Sequence, residues 1–251
     1  MIRRLLSVFL LVFMAGAAQA DPAGGKPGVD EILRYFDTIV FGAEVDKSLA
    51  AKVVAKWPTD REISVGLRGR YTDDHVRMFV KHLREIANLT RLKFDVFGGA
   101  AQKDRQADID LVFVKRDEMD KIQLPNVDPA LVGRMAASGG CYFLSFRKPP
   151  ETFVKAVIVA NVERNPDHLD ACLLEEFTQA LGLPNDSDDL RPSVFSDKDR
   201  LRALSRPDRI LLRTLYDPRL PAGTPRARAL EMARPIVAEL DLQMPLDSPG
   251  R

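Results

Sequence analysis

The chain has 251 residues, of which 45% are hydrophobic and 29% are charged. This apolar content excludes an intrinsically disordered chain, which buries too little apolar surface to offset the entropy lost on ordering. The 37 basic and 36 acidic residues leave a formal net charge of +1. Because nucleic-acid binders use a basic excess to neutralise phosphates, we expect no nucleic-acid partner.

The first twenty residues have the features of an export signal. Arg3 and Arg4 precede a run of about ten apolar residues, half of what a membrane-spanning helix needs, and Ala18-Gln19-Ala20 fits signal peptidase. We therefore predict a signal peptide at residues 1–20, cleaved after Ala20, no transmembrane anchor, and a periplasmic or secreted protein. Cleavage leaves 35 basic and 36 acidic residues, a net charge of −1.

A leader and a helix–strand–helix series follow the signal. Residues 21–29 are rich in Gly and Pro and predict a flexible leader. Apolar residues recur at helical spacing over 29–41, alternate with polar ones over 61–69, and return to helical spacing from Asp73.

The rest of the chain predicts more strands and then helices. Strands are expected over 92–96, 107–114, 141–146 and 154–162, and helices over 166–181, 207–216 and 225–240. Asn165-Pro166 and Thr224-Pro225 are the expected caps of the first and last of these helices. The order predicts the α/β (α+β) class, a mixed sheet with helices across it, in one domain over 30–240 with a polar tail at 241–251.

Cys141 and Cys172 are the only cysteines. In an exported protein such a pair predicts a disulfide, which would stabilise the fold by about 3–4 kcal/mol in the chain-entropy model. The alternative is a nucleophilic Cys172 with His168 as its base, four residues earlier on one helical face.

The three histidines are predicted to be surface residues. His75 and His82 lie seven positions apart on one helix. Two helical turns separate them, so they cannot hold one metal ion by themselves.

The segment from Cys172 to Asp188 predicts a polar cluster at the end of a helix. Leu173, Leu174, Phe177 and Leu181 form a core-facing stripe, and Gly182 suits the left-handed turn that ends a helix. The chain can then fold back on the helix. This return brings together five polar residues, Glu175, Glu176, Gln179, Asn185 and Asp186.

This segment resembles the zinc-binding helix of metzincin metallopeptidases, H-E-x-x-H-x-x-G-x-x-H, with its metal ligands replaced. Glu175, Gln179 and Asn185 stand at the three His positions, Glu176 at the general base, and Gly182 at the turn. The resemblance continues with Phe195 in place of the Met of the Met-turn, and with the helix that ends in Leu215-Tyr216. It implies a metzincin-like fold in which Gly182, Phe195 and Tyr216 are structural.

The mature region also resembles a proteobacterial exported family of unassigned activity, domain of unknown function 2927. The features that carry this resemblance are Phe41-Gly-x-Glu44, Trp57, Cys141, the run E-E-F-T-Q-A-L-G-L-P-N-D, and L-Y-D-P-R-L from Leu215 to Leu220. The resemblance covers roughly residues 30–240.

The replacements predict a loss of zinc chemistry. Metzincins hold zinc with three imidazoles and leave a water for the Glu base. Gln179 and Asn185 offer neutral amides in their place, so we expect no zinc and no other cofactor, and Glu176 has no acidified water to deprotonate. The alternative metal site is an oxygen-only set for Ca²⁺, made of Glu175, Gln179, Asn185 and Asp186. Without a ligand, the same side chains would instead hydrogen-bond the return loop.

Two functions follow from these patterns. The first is a catalytically silent domain whose cleft binds a peptide, an envelope partner or a small ligand, with residues 141–146 adding a peptide strand as in active relatives. The second is a peptidase-like hydrolase with a non-standard metal or carboxylate centre at Glu175 and Glu176, the latter as catalytic base. Because adjacent helix positions diverge by about 100°, we expect only one of these two side chains to face a given site.

Overall fold

A computed structural model gives the structure of the chain and describes residues 26–43, 48, 50–149 and 151–245. The predicted signal peptide with its cleavage site at Ala20, most of the leader, Glu44 and the end of the polar tail lie outside the described residues.

Five strands of the described ranges form one mixed sheet, in the order β2-β1-β3-β5-β4. The strands are β1 (Glu62–Gly69), β2 (Lys93–Phe97), β3 (Ile109–Val114), β4 (Cys141–Lys148) and β5 (Thr152–Asn161). Neighbours from β2 to β5 are parallel, whereas β4 pairs antiparallel with β5 and lies at the edge. The predicted fold class is confirmed, and all five strands were predicted with small differences at their ends.

Six α-helices accompany the sheet in the described part of the chain. They are α1 (Val29–Phe41), α2 (Asp73–Thr90), α3 (Pro129–Ala136), α4 (Pro166–Ala180), α5 (Arg206–Leu215) and α6 (Arg226–Gln243). The sequence patterns predicted five of them and missed α3, as well as two 3-10 helices at Ala100–Gln102 and Arg116–Lys121.

The helix caps follow local chemistry. The Asn165 side chain accepts a hydrogen bond from the Asp167 N–H at 2.9 Å, so the predicted cap of α4 is present. The predicted cap of α6 is wrong. The Thr224 hydroxyl donates to the Pro221 carbonyl at 2.7 Å, and α6 begins without a side-chain cap.

The sheet buries both of its faces. Ile158 and its alternate neighbours on β5 pack in the main core with α1, α2, α4, α5 and α6. Val157 and Val159 face a smaller core with α3 and the 3-10 helix at Arg116–Lys121. Because successive side chains of a strand point to opposite faces, this continuous apolar run is what a doubly covered strand requires.

A disulfide joins Cys141, the first residue of β4, to Cys172 in α4. The predicted disulfide is confirmed, and the alternative of a nucleophilic Cys172 is wrong because its sulfur is bonded. The bond fixes the edge strand of the sheet to the middle of α4.

The surface prediction for the histidines is wrong for His82, which is fully buried. Its Nε2 lies 2.5 Å from Oδ1 of Asp170 on α4, and its Nδ1 has no hydrogen-bond partner among the described residues. Burial lowers the pKa of His82, against the opposing effect of Asp170. His75 instead accepts a hydrogen bond from the Thr72 N–H at the start of α2.

None of the described helices is both long enough and apolar enough to cross a membrane.

Candidate functional site

Helix α4 carries the predicted site, and both its stripe and its termination are as the sequence predicts. Leu173, Leu174 and Phe177 are fully buried. Gly182 follows the helix with φ at +114°, and a Cβ there would lie 2.4 Å from the Ala55 carbonyl oxygen. Both the left-handed backbone and this close approach require glycine.

Two aromatic side chains satisfy carbonyls at the end of α4. The Tyr216 hydroxyl donates to the Leu181 carbonyl at 2.7 Å, and the Trp57 indole N–H donates to the Ala180 carbonyl at 3.0 Å. Burial raises the pKa of Tyr216. Tyr216 and Trp57 therefore have a structural role. The last carbonyls of a helix have no partner within the helix, and these two side chains supply one.

The return loop brings two members of the predicted cluster together and places a third elsewhere. The Gln179 side-chain amide donates to Asp186 Oδ1 at 2.6 Å. The Asn185 amide donates to the Thr38 carbonyl at 3.1 Å and to the Asp186 carbonyl at 3.0 Å. Asn185 therefore fastens the loop to the end of α1, a partner 147 positions earlier that sequence spacing does not reveal.

A polar cavity of about 280 Å³ lies beside α4. Glu175, Glu176 and Asp186 all line it. Glu175 and Glu176 both line this one cavity, against the expectation that only one of them faces a given site. The remaining ionisable or disulfide-bonded lining residues are Arg164, His168, Arg200, Asp197, Asp199, Cys141 and Cys172.

A second, largely apolar cavity of about 180 Å³ follows β4. Phe143, Leu144 and Ser145 of β4 all line it. Since neighbouring residues of a strand point to opposite faces, a cavity that touches all three opens at the outer edge of β4. The other lining residues include Val40, Ala55, Phe153 and Pro184, with Leu131 and Met135 from α3 and Gln179 and Gly182 from the end of α4.

The turn around Phe195 is held by a buried carboxylate that the sequence analysis missed. Phe195 and Asp208 are fully buried. Asp208 accepts hydrogen bonds from the Ser193 hydroxyl at 2.6 Å, the Val194 N–H at 3.1 Å and the Ser205 N–H at 2.9 Å. Burial raises the pKa of Asp208 to about 6, although these hydrogen bonds oppose the shift. The Ser205-x-x-Asp208 spacing, which is that of a capping box at the start of a helix, could have revealed Asp208 from the sequence.

The described side chains do not fit a zinc site of the metzincin kind. At two of the three His positions, Gln179 and Asn185 donate their amide hydrogens to Asp186 and Thr38. Within the described ranges, no three His, Cys, Asp or Glu side chains lie where they could hold a metal ion together.

A model of one family, described as "Protein of unknown function (DUF2927)", matches residues 29–234. The chain belongs to this family. The resemblance of the sequence to it is thus confirmed, and no curated protein matches the DUF2927 chain at a significant level.

Among solved structures, the chain is similar to one titled "Structure of myroilysin", with 16% identity and a TM-score of 0.29. The similarity covers 52% of each chain, so the DUF2927 chain spans about half the length of that structure.

Proposed function

We propose that this DUF2927 chain is an exported, catalytically silent binding domain that holds an extended peptide segment along β4. The observation that carries the proposal is the apolar cavity at the outer edge of β4, next to the end of α4.

The open edge supplies the backbone part of the recognition. In an antiparallel pair, alternate residues of an edge strand direct their N–H and C=O groups away from the partner strand. β5 is the only strand that pairs with β4 among the described residues. An extended peptide that pairs with this edge gains main-chain hydrogen bonds without any metal, which is the general mode of strand addition.

The two cavities supply the side-chain part. Phe143 and Phe153 line the apolar cavity, which suits one apolar side chain of the peptide. Glu175, Glu176 and Asp186 line the polar cavity at the Cys141 end of β4. Because alternate side chains of an extended peptide point the same way, a peptide along β4 can place one side chain in each cavity.

Catalysis by the metzincin route is disfavoured by the contacts of the return loop. Gln179 and Asn185 are hydrogen-bonded to Asp186 and Thr38, and neither residue offers an imidazole. Without a metal-bound water, Glu176 lacks the acidified proton that a general base removes in such enzymes.

Export is supported by the disulfide, since such bonds persist in oxidising compartments and are rare in the cytosol. We expect a mature protein that begins at Asp21, located in the periplasm or outside the cell. The mass of the protein from its native host tests this, and an uncleaved N-terminus would contradict it.

The test of binding starts from a displayed pool of random peptides selected on the oxidised protein. A selected peptide is synthesised with and without N-methyl groups at alternate backbone positions, and its affinity is measured by calorimetry. We expect one methylation register to weaken binding at least about tenfold, because it removes main-chain hydrogen bonds.

Ser145→Leu is the matching protein variant. The Ser145 hydroxyl has no hydrogen-bond partner among the described residues, so leucine removes no such bond and fills the apolar cavity. We expect Ser145→Leu to weaken binding of the peptide. Lys148→Gln, an exposed change at the end of β4, serves as the control. Selection of no peptide, or affinity unchanged by both Ser145→Leu and methylation, would refute strand addition.

A second candidate function is a peptidase-like hydrolase with a carboxylate or non-standard metal centre at Glu175 and Glu176. The specific observation in its favour is that Glu175, Glu176 and Asp186 line one polar cavity. Elemental analysis of protein purified without chelator, beside Glu175→Ala and Glu176→Gln, tests it together with a peptidase screen. Hydrolysis that Glu176→Gln loses would establish this function in place of the first, and stoichiometric metal that Glu175→Ala loses would assign a metal ion to its centre.

A further inference from the structure

A third cavity, of about 810 Å³, is separate from the polar and apolar cavities beside β4. Its inferred role does not depend on the proposed function. It is bounded by the segment from Lys56 to Thr59, the ends of α2 and α5, and the loop that follows α5. Ala55 and Phe153 line the apolar cavity beside β4, whereas their chain neighbours Lys56 and Thr152 line this third cavity. The two spaces therefore lie on opposite sides of one wall.

The lining of this cavity carries an excess of positive charge. Among the described residues that line it, the ionic side chains are Lys56, Arg91, Arg213 and Arg219 against the single acid Asp217. Arg219 pairs with both oxygens of Asp217 at 2.9 Å, and also with Glu239. This pairing neutralises Asp217 and leaves three cations.

Lys56 is a buried cation held by neutral groups. Its ammonium donates to the Leu215 carbonyl at 2.9 Å and to the Leu220 carbonyl at 2.5 Å. No carboxylate lies within ion-pair distance of it among the described residues, and burial lowers the pKa of Lys56 to about 8. An ammonium has three donors, so two carbonyls do not use its full capacity.

Arg91 and Arg213 also lack an ion pair within the part of the chain that the structure describes. Arg91 is the capping residue directly after α2, and Arg213 lies in the last turn of α5. The C-terminus of each helix carries the equivalent of about half a negative elementary charge. Two such helix ends offset roughly one of the three cations, so an uncompensated positive charge remains at the cavity.

The same cavity has an apolar side. Trp57, Pro58, Leu89, Tyr216 and Pro221 line it together with the cations. Its volume lies within the roughly 300–1,000 Å³ that is usual for small-molecule sites. Apolar walls with a few convergent charged groups are the general character of such sites.

We propose that this cavity binds a small organic acid, a carboxylate joined to an apolar body. Arg213 and Arg91 pair with the carboxylate, and the apolar body lies against Pro58, Leu89 and Pro221. Arginine suits this role because its planar guanidinium matches a carboxylate with two parallel hydrogen bonds. A fatty acid and an aromatic acid share this chemistry.

The test uses Trp57, the only tryptophan of the chain and part of the cavity lining. Octanoate, 3-phenylpropanoate, 1-octanol and inorganic phosphate are titrated into the oxidised mature protein. Binding is followed by tryptophan fluorescence and by calorimetry. We expect at least one of the two acids to bind saturably, and about tenfold or more tightly than either octanol or phosphate, because charged hydrogen bonds and apolar burial act together. Tighter binding of octanoate would indicate a fatty acid as the ligand, and tighter binding of 3-phenylpropanoate would indicate an aromatic acid.

Three variants assign the binding to this cavity. Arg213→Gln and Arg91→Gln are each expected to weaken the acid about tenfold. Arg228→Gln, an exposed change on α6, is the matched control and is expected to have no effect, with circular dichroism confirming that all three fold. No saturable binding of either acid, equal binding of octanol or phosphate, or affinity unchanged in both cavity variants would overturn the proposal.

Discussion

Asp208 at the start of α5 and the three acidic residues near the end of α4 have different surroundings. Asp208 is fully buried and accepts hydrogen bonds from one hydroxyl and two main-chain N–H groups. Glu175, Glu176 and Asp186 line an open polar cavity. A carboxylate saturated by backbone donors serves the fold, whereas carboxylates that line a cavity also border the space that a ligand would occupy.

The largest expected effect is that of Asp208→Ala. It leaves buried donors at Ser193, Val194 and Ser205 without an acceptor, so we expect a loss of about 3–5 kcal/mol in the free energy of unfolding. Urea denaturation measures it. Asp186→Asn keeps an acceptor for Gln179 and is expected to cost less than about 1 kcal/mol. Equal losses of stability in the two variants would contradict the view that Asp208 serves the fold more than Asp186 does.

Reduction of the disulfide is expected to have the next largest effect. The bond joins β4 to α4 at the wall of the polar cavity. Its loss should lower the free energy of unfolding by about 2–4 kcal/mol. Urea denaturation of the Cys141→Ser/Cys172→Ser variant beside the oxidised protein measures this. An unchanged midpoint would mean that packing alone holds β4 against α4.

Gln179→Ala tests the contact between α4 and the return loop. It removes the amide that donates to Asp186, and we expect a loss of about 1 kcal/mol in the free energy of unfolding. Gln179→Glu is the companion variant, because it places a carboxylate against Asp186 and should cost more at neutral pH than at pH 4. A pH-independent cost would contradict this contact.

The smallest effect near neutral pH is that of His82. Burial lowers its pKa, so the unfolded chain takes up the proton first and stability falls as the pH drops below the ordinary His value of about 6.5. Urea denaturation between pH 7.5 and pH 5 should show a shallower slope for His82→Gln than for the native protein. His168→Gln is the control. If the slope is the same in His82→Gln and in the native protein, His82 does not take up a proton on unfolding.

Sequence periodicity predicted the elements well because each depends on neighbours in the chain. The bounds of α1 agree with the prediction, and Asn165 with Pro166 signals the start of α4 through local capping chemistry. The helix α3 was missed because only eight residues form it, and its apolar pattern is too short to distinguish from a loop.

The details of the site depended on distant partners. His82 is buried against Asp170, a residue 88 positions away, and Asn185 donates to the distant Thr38 carbonyl as well as to the neighbouring Asp186 carbonyl. The two cavities depend on the strand order, which no spacing reveals. What the sequence did predict was the local part of the cluster, in which Gln179 and Asp186 are seven positions apart across the Gly182 turn.

The most direct test of the proposed binding is hydrogen exchange of the β4 amides in the presence of a chelator, with and without the selected peptide. We predict that the peptide slows exchange within Cys141–Lys148 and that the chelator does not alter this protection. Protection confined to other segments, or protection of β4 that appears only when a metal ion is restored, would contradict a metal-free cleft that binds peptides by strand addition.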